Sequence, residues 1–283
     1  MTDPSLFLHT PLGQAGSGRV RYGAAWPFGA IGRISAEVLE VYRIAAAHDA
    51  RDPRADLRER GLPVPDLAAM PDPLRRLYDA ARQYLLTLDH PGAAEVRAGL
   101  PVDPGPLQAQ EAGSNAVADR WLGPAVGVAG SDQPDLCAAI LAAADGLRWV
   151  TYDAYPRDAI GDAFANGHAF ASILGEDAPF AARDFDLGLF LIAPGTLYRD
   201  HCHAAPELYA PLTGPHGWRF GPGGPLTVKP AHAPIWNPPY QPHLTKVGPV
   251  PFLCLFVWTR DVNLPARVLP ADDWPALEGI SLE

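Results

Sequence analysis

Cysteine is scarce in this 283-residue chain: Cys137, Cys202 and Cys254 lie far apart and form no CxxC pair. An odd, scattered set excludes a disulfide framework and a cysteine-built zinc knuckle. Long apolar runs are missing as well. No stretch approaches the roughly 18 residues of a membrane span, and the start MTDPSLFLHTPLGQAG lacks a basic region followed by an apolar one. The expectation is a cytoplasmic protein with no membrane partner. Positive charge is thin: 22 basic residues stand against 32 acidic ones, for a net charge of −10. With no Lys/Arg cluster beyond a short group at 54–60, a nucleic-acid surface is excluded, and a cationic ligand suits the chain better than a polyanion. Two enzyme signatures are also missing. GQAGSGRVRYG has neither GK[ST] nor a preceding strand and reads as a flexible loop, and no Gly-x-Ser-x-Gly elbow occurs.

Proline and glycine are plentiful, 32 and 27, and dispersed, which predicts short elements divided by turns. Apolar residues recurring at three and four predict a helix over 34–48, capped by Ser35, and another over 73–88, closed before the turn His90-Pro91-Gly92. A third helix is expected over 133–147 with Asp132 as its cap. Residues 99–130 read as either a long connection or a few short helices. After Leu147 the pattern changes to period two, in LRWVTYDAY, DLGLFLIAP, GTLYRDHCH, PELYAPLTG, GWRFG, PLTVKP, APIWNPP, HLTKV and PFLCLFVWTR, separated by Gly/Pro turns. Many short strands at that spacing mean a sandwich or a barrel. The expected organisation is a mainly helical region over 1–148, packed outside a β-barrel over 149–283 and partly closing one end.

One stretch of the strand-rich half, TLYRDHCHAAPELYAPLTG (196–214), concentrates polar groups. His201 and His203 are two apart and share one face of a strand. Glu207 and Tyr209 repeat that spacing after Ala204-Ala205-Pro206, so a turn at the proline and a returning strand would bring both pairs to one point. Burying such groups unpaired costs about 1–3 kcal/mol each, which favours a metal over plain packing. Imidazole and carboxylate donors suit one divalent ion among Zn, Fe, Mn, Ni and Co. Cys202, between the histidines, faces the other way and reads as inert packing.

The spacing Gly195, His201-x-His203, Glu207, Gly214 resembles the first cupin motif at every specified place. The second motif is matched by Pro238 and His243 in PPYQPHLTK, followed by the strand PFLCLFVW. Tyr240 and His232 stand where glycines are common, and His232 is the competing candidate for the third histidine. The finer pattern Tyr198, His201, His203, Glu207, Tyr209, with Trp218 and the closing FLCLFVW, resembles the cupin-type dimethylsulfoniopropionate lyases over 184–261. That resemblance implies an all-β cupin core, a double-stranded β-helix or jelly roll, with a helical N-terminal region. It also implies a metal-dependent carbon–sulfur lyase that abstracts a proton α to a carboxylate and expels dimethyl sulfide, leaving acrylate.

The implied ligands are His203, Glu207 and His243, with His201 either a fourth ligand or a substrate contact. The implied base is Tyr209, with Tyr198 orienting the substrate or serving as the alternative base. A free tyrosine, with a pKa near 10, needs the metal to lower it. The substrate would be a small zwitterionic sulfonium carboxylate. Its permanent positive charge donates no hydrogen bond and calls for aromatic faces, for which Trp218, Trp236, Tyr240 and Trp258 are candidates. A dioxygenase or isomerase on the same barrel, or a ligand-binding cupin without turnover, is the alternative. A homodimer is left open, since cupins commonly form dimers.

Overall fold

The computed structural model describes residues 10–30, 32–67 and 72–283; the first nine residues, part of the start read above as lacking a leader, lie outside these. The chain forms two compact units, Met1–Asp72 and Pro73–Glu283. No helix among the described residues is long and apolar enough to cross a membrane.

The first unit holds helices α1 (Ser17–Ala30), α2 (Ala36–Ala45) and α3 (Pro53–Glu59). Helix α2 was expected, and Ser35 caps it by accepting from the Val38 N–H at 3.2 Å. The glycine-rich stretch read as a loop instead leads into α1. The Asp49 carboxylate accepts from the N–H groups of Gly16 and Gly18, each at 2.9 Å, so the donors that a phosphate loop would offer are already engaged. Ala24, Ala25 and Phe28 of α1 pack with Val38, Val41 and Tyr42 of α2. Glycine and an internal Pro27 hid this helix from a periodicity argument.

In the second unit α4 (Pro73–Thr87) follows expectation, but three neighbours differ. His90-Pro91-Gly92 is the start of α5 (Pro91–Gly99), because His90 caps it through Nδ1 and proline fits a first helical position. The undecided region contains a 14-residue helix, α6 (Ala116–Ala129), capped by Asn115. Helix α7 (Pro134–Ala143) makes no side-chain cap bond and gives way to a 3-10 turn at Ala144–Gly146; Asp132 does not cap it but lies 3.5 Å from His232 Nε2. Two short helices, α8 (Arg157–Ile160) and α9 (Asp162–Ala165), precede the strands.

The strands are β1 (His168–Gly175), β2 (Phe180–Ala181), β3 (Asp186–Ile192), β4 (Leu197–Cys202), β5 (Glu207–Pro211), β6 (His216–Arg219), β7 (Thr227–Lys229), β8 (Ile235–Asn237), β9 (His243–Val247), β10 (Phe252–Trp258) and β11 (Arg267–Val268), followed by α10 (Trp274–Glu278). They form a six-stranded sheet, β2-β1-β3-β10-β5-β8, and a five-stranded sheet, β11-β4-β9-β6-β7. The architecture is the expected cupin jelly roll, built as two facing sheets. LRWVTYDAY contributes no strand, only isolated bridges from Arg148 to Gly113 and from Val150 to Phe170, while β1, not foreseen, pairs along the length of β3.

Alternation explains the layers. Leu187, Leu189 and Leu191 of β3 and Leu253, Leu255 and Val257 of β10 face outward into a core shared with α4, α6 and α7. Phe190, Phe252, Cys254 and Phe256 face inward, between the sheets. Burial on both faces is why β10 reads as an unbroken apolar run. Behind the five-stranded sheet lies the C-terminal segment: Leu269 N–H donates to Asp200 O at 2.7 Å, and Trp274 Nε1–H donates to the Asp200 carboxylate at 2.8 Å. Arg219 ion-pairs with both Asp200 and Asp273, and Lys246 Nζ donates to Glu278 O at 2.9 Å.

Candidate metal centre and its cavity

The expected hairpin at Pro206 does not form. Strand β4 pairs with β9 and β11, whereas β5 pairs with β10 and β8, so the turn carries the chain from one sheet to the other. The two polar pairs still converge, because each sheet points its inward residues at the gap. His201 sits opposite His243 in the β4–β9 ladder, His203 follows β4, and Glu207 and Tyr209 reach in from the facing sheet.

The three histidines are prepared as ligands. Their Nδ1–H groups donate to backbone carbonyls two residues away: His201 to Arg199 at 2.8 Å, His203 to Ala205 at 2.8 Å and His243 to Gln241 at 2.9 Å. That fixes one tautomer and leaves Nε2 as the free lone pair. His201 Nε2 and His243 Nε2 are buried without a hydrogen-bond partner, and the ligand atoms of the three rings lie within 4.8 Å of one another. Glu207 Oε2 is 3.0 Å from His203 Nε2 and 3.5 Å from His243 Nε2. Its other oxygen accepts from Trp258 Nε1–H at 2.8 Å, and Asn237 Nδ2 donates to Oε2 at 3.4 Å. Burial alone would raise the Glu207 carboxyl, but His203 and His243 outweigh it and hold the group well below the usual carboxylate range. Burial, then the neighbouring His243 and His203, push His201 well below its ordinary value and keep it neutral. Orphaned, converging lone pairs beside an ionised carboxylate fit a divalent metal.

Beside this group lies a cavity of about 210 Å³, lined by Glu207, Tyr209, Tyr198 and Trp258 and by aromatic residues including Tyr152, Tyr155, Phe164 and Phe256. The Tyr198 ring is sandwiched between Phe164 and His201, each 3.8 Å away between centroids, and its hydroxyl lies 2.8 Å from that of Tyr155. Tyr209 packs against Trp218 at 5.1 Å. Burial, followed by the nearby Glu207 charge, holds the Tyr209 phenol well above its ordinary value.

The remaining sequence candidates fall elsewhere. Trp218 is fully buried behind Tyr209, with Nε1–H donating to His216 Nδ1 at 2.6 Å, and does not line the cavity. Trp236 points to the outer face of its sheet, where a Cβ on Gly92 would stand 2.3 Å from the indole; Gly92 is there to admit that ring. Tyr240 is exposed. His232 bonds Tyr84 Oη through Nδ1 at 3.0 Å, away from the three histidines. Both Tyr240 and His232, at the glycine positions of the second cupin motif, keep the left-handed backbone that glycine favours, with φ of 58° and 61°.

Sequence reasoning missed five residues of the cavity wall: Tyr152, Tyr155, Phe164, His168 and Asp186. His168 accepts the Tyr152 N–H at Nε2, 3.0 Å, and donates from Nδ1 to Phe164 O at 2.6 Å, tying the 151–166 segment to β1. The only available signal was the density of aromatics in a stretch without periodicity.

Two facing sheets enclosing three prepared histidines and a glutamate define a cupin able to hold a metal ion. A family profile for dimethylsulfoniopropionate lyases matches residues 104–254, just over half of the chain, and the chain belongs to that family. The match begins well before the strands and takes in α6 and α7. The curated dimethylsulfoniopropionate lyase DddQ of Ruegeria pomeroyi is 27% identical over 126 residues, 44% of this chain, and the chain spans 61% of that relative's length. Among solved structures, a chain from work on the DMSP lyases RdDddP and RnDddQII superposes with a TM-score of 0.59 at 22% identity, covering 70% of this chain and 98% of that one. It shows the shared fold. DddQ from Ruegeria pomeroyi DSS-3 matches at 25% identity and a TM-score of 0.46, over 66% of this chain and 95% of its own.

Proposed function

We propose that this protein is a metal-dependent lyase that cleaves dimethylsulfoniopropionate, or a close analogue, to acrylate and dimethyl sulfide. The observation that carries the reading is the meeting of Tyr209 and Tyr198 with the histidine group across one small aromatic cavity. Neither a dioxygenase nor an isomerase requires two buried phenols there. His203, Glu207, His243 and His201 would hold the ion. A divalent metal so held supplies Lewis-acid stabilisation of charge developing beside the substrate carboxylate and lowers the pKa of a nearby phenol.

The chain's own residues do the rest. Tyr209 Oη takes the α proton, the C–H electron pair becomes the new C=C bond, and the Cβ–S pair leaves on sulfur as neutral dimethyl sulfide. Tyr198, held by Tyr155 and stacked between Phe164 and His201, orients the substrate. Trp258 and Phe256 offer ring faces to the sulfonium. Headspace gas chromatography of dimethyl sulfide tests the reading, using purified protein with dimethylsulfoniopropionate and added Mn, Fe, Zn or Ni. Release is expected with at least one ion, and Tyr209→Phe should keep its metal while losing about 100-fold or more in turnover. No release with any of these metals would refute the substrate assignment.

A further inference from the structure

The metal group accounts for the anionic half of a zwitterionic substrate; a residue at the far side of the same cavity accounts for the cationic half. Asp186 opens β3 on the inner face of the six-stranded sheet and lines the cavity. The strand register sets Asp186 opposite Trp258, and Trp258 opposite Glu207. The three form a row across β3, β10 and β5, and two strand spacings put the backbones of the end carboxylates about 10 Å apart.

Asp186 has no role in the metal group, and among the described residues no cation pairs with it. Ser172 Oγ donates to Oδ2 at 3.1 Å, and Oδ1 is buried without a hydrogen-bond partner. Burial pushes the carboxyl up to about 7 against the effect of the Ser172 hydroxyl, as befits a buried carboxyl lacking a counter-charge. Phe170, Asp186 and Val262 also border an outer hollow that contains Glu176, Asp177 and Arg148, so the approach to Asp186 carries acid residues in excess.

We propose that Asp186 is the counter-ion for the onium end of the substrate, setting a preference for a sulfonium or quaternary-ammonium carboxylate over a neutral carboxylate of the same shape. The assignment rests on the lyase reading for the direction in which the substrate lies. A carboxylate at the histidines and an onium centre three bonds further on occupy the span between Glu207 and Asp186. The chemistry assigns Asp186 a definite kinetic signature. Positive charge on sulfur disappears as the Cβ–S bond breaks, so Asp186 holds the substrate more tightly than the transition state. Its loss should raise KM and leave kcat unchanged or higher.

The test uses two ligands of identical shape, 3-(trimethylammonio)propanoate and 4,4-dimethylpentanoate, titrated by calorimetry into the metal-loaded full chain. The wild type should bind the onium ligand about tenfold or more tightly than its neutral counterpart. Asp186→Asn should bring that ratio close to one without weakening the neutral ligand, and Asp186→Glu should retain it. A wild-type ratio near one, which needs no variant to fold, overturns the proposal, as does a preference that survives in Asp186→Asn. Dimethyl sulfide release without an onium preference defeats the counter-ion alone. A preference that depends on Asp186, without release, upholds the counter-ion while the lyase reading falls.

Discussion

Acid should loosen the cavity wall through His168 before it affects the bulk of the fold. This imidazole is buried, with both nitrogens engaged as a neutral ring: Nδ1–H to Phe164 O and Nε2 to the Tyr152 N–H. Burial is the largest influence on it, and its pKa falls from 6.5 to about 4 despite the Phe164 carbonyl. Between those values the unfolded chain binds a proton that the native ring refuses, so native stability falls as pH drops from 6.5 towards 4. The full loss, from 6.5 to about 4, is about 3 kcal/mol, most of it reached by pH 4.5. His168→Gln keeps an acceptor for Tyr152 but removes the titration. Urea unfolding of both proteins at pH 7.5, 5.5 and 4.5 gives the comparison: the wild type should be the more stable at pH 7.5, and the gap should close by about 2–3 kcal/mol at pH 4.5. A gap independent of pH would refute the reasoning, because every other titrating group is shared. Since His168 ties down the segment bearing Tyr152 and Tyr155, turnover should also fall at a milder pH than unfolding.

Three further outcomes follow from the geometry. His243→Ala should lose bound metal by elemental analysis, whereas His232→Ala, remote from the group, should keep it. Trp258→Phe removes the donor to Glu207 Oε1 and should weaken metal affinity about 10- to 100-fold in a chelator competition; unchanged affinity would remove Trp258 from the support of the site. Tyr240 holds a left-handed backbone, so Tyr240→Gly should be about 1 kcal/mol more stable than Tyr240→Ala in denaturant unfolding, the reverse of the usual order.

The strands that bear His201, Glu207, Tyr209 and His243 were legible because period-two spacing and the motif intervals are local properties of the chain. The sheet to which each strand belongs was not, since Pro206 marks a turn without saying whether it closes a hairpin or crosses a sandwich. Trp218, Trp236 and Tyr240 show a related limit. Nearness in sequence to the histidines says nothing about which face a side chain takes, and only Trp258, with Glu207 as its cross-strand neighbour, entered the cavity. Helices α1 and α6 escaped because glycine and internal proline lower the apparent propensity, while buried apolar faces override it. Asp186 looked like an ordinary polar strand start; its isolation is a property of three strands together.

The row of ion pairs behind the five-stranded sheet gives strand β4 two opposed duties. One face presents His201 to the cavity while the other is tethered through Asp200 to Arg219, Trp274 and the backbone of Leu269, and β9, which carries His243, is tethered through Lys246 to Glu278. The chain's last twenty residues thus act as a splint on the two strands that carry ligands. A fusion or cut in that segment should therefore register as a change in metal affinity, although none of its side chains is among the ligands.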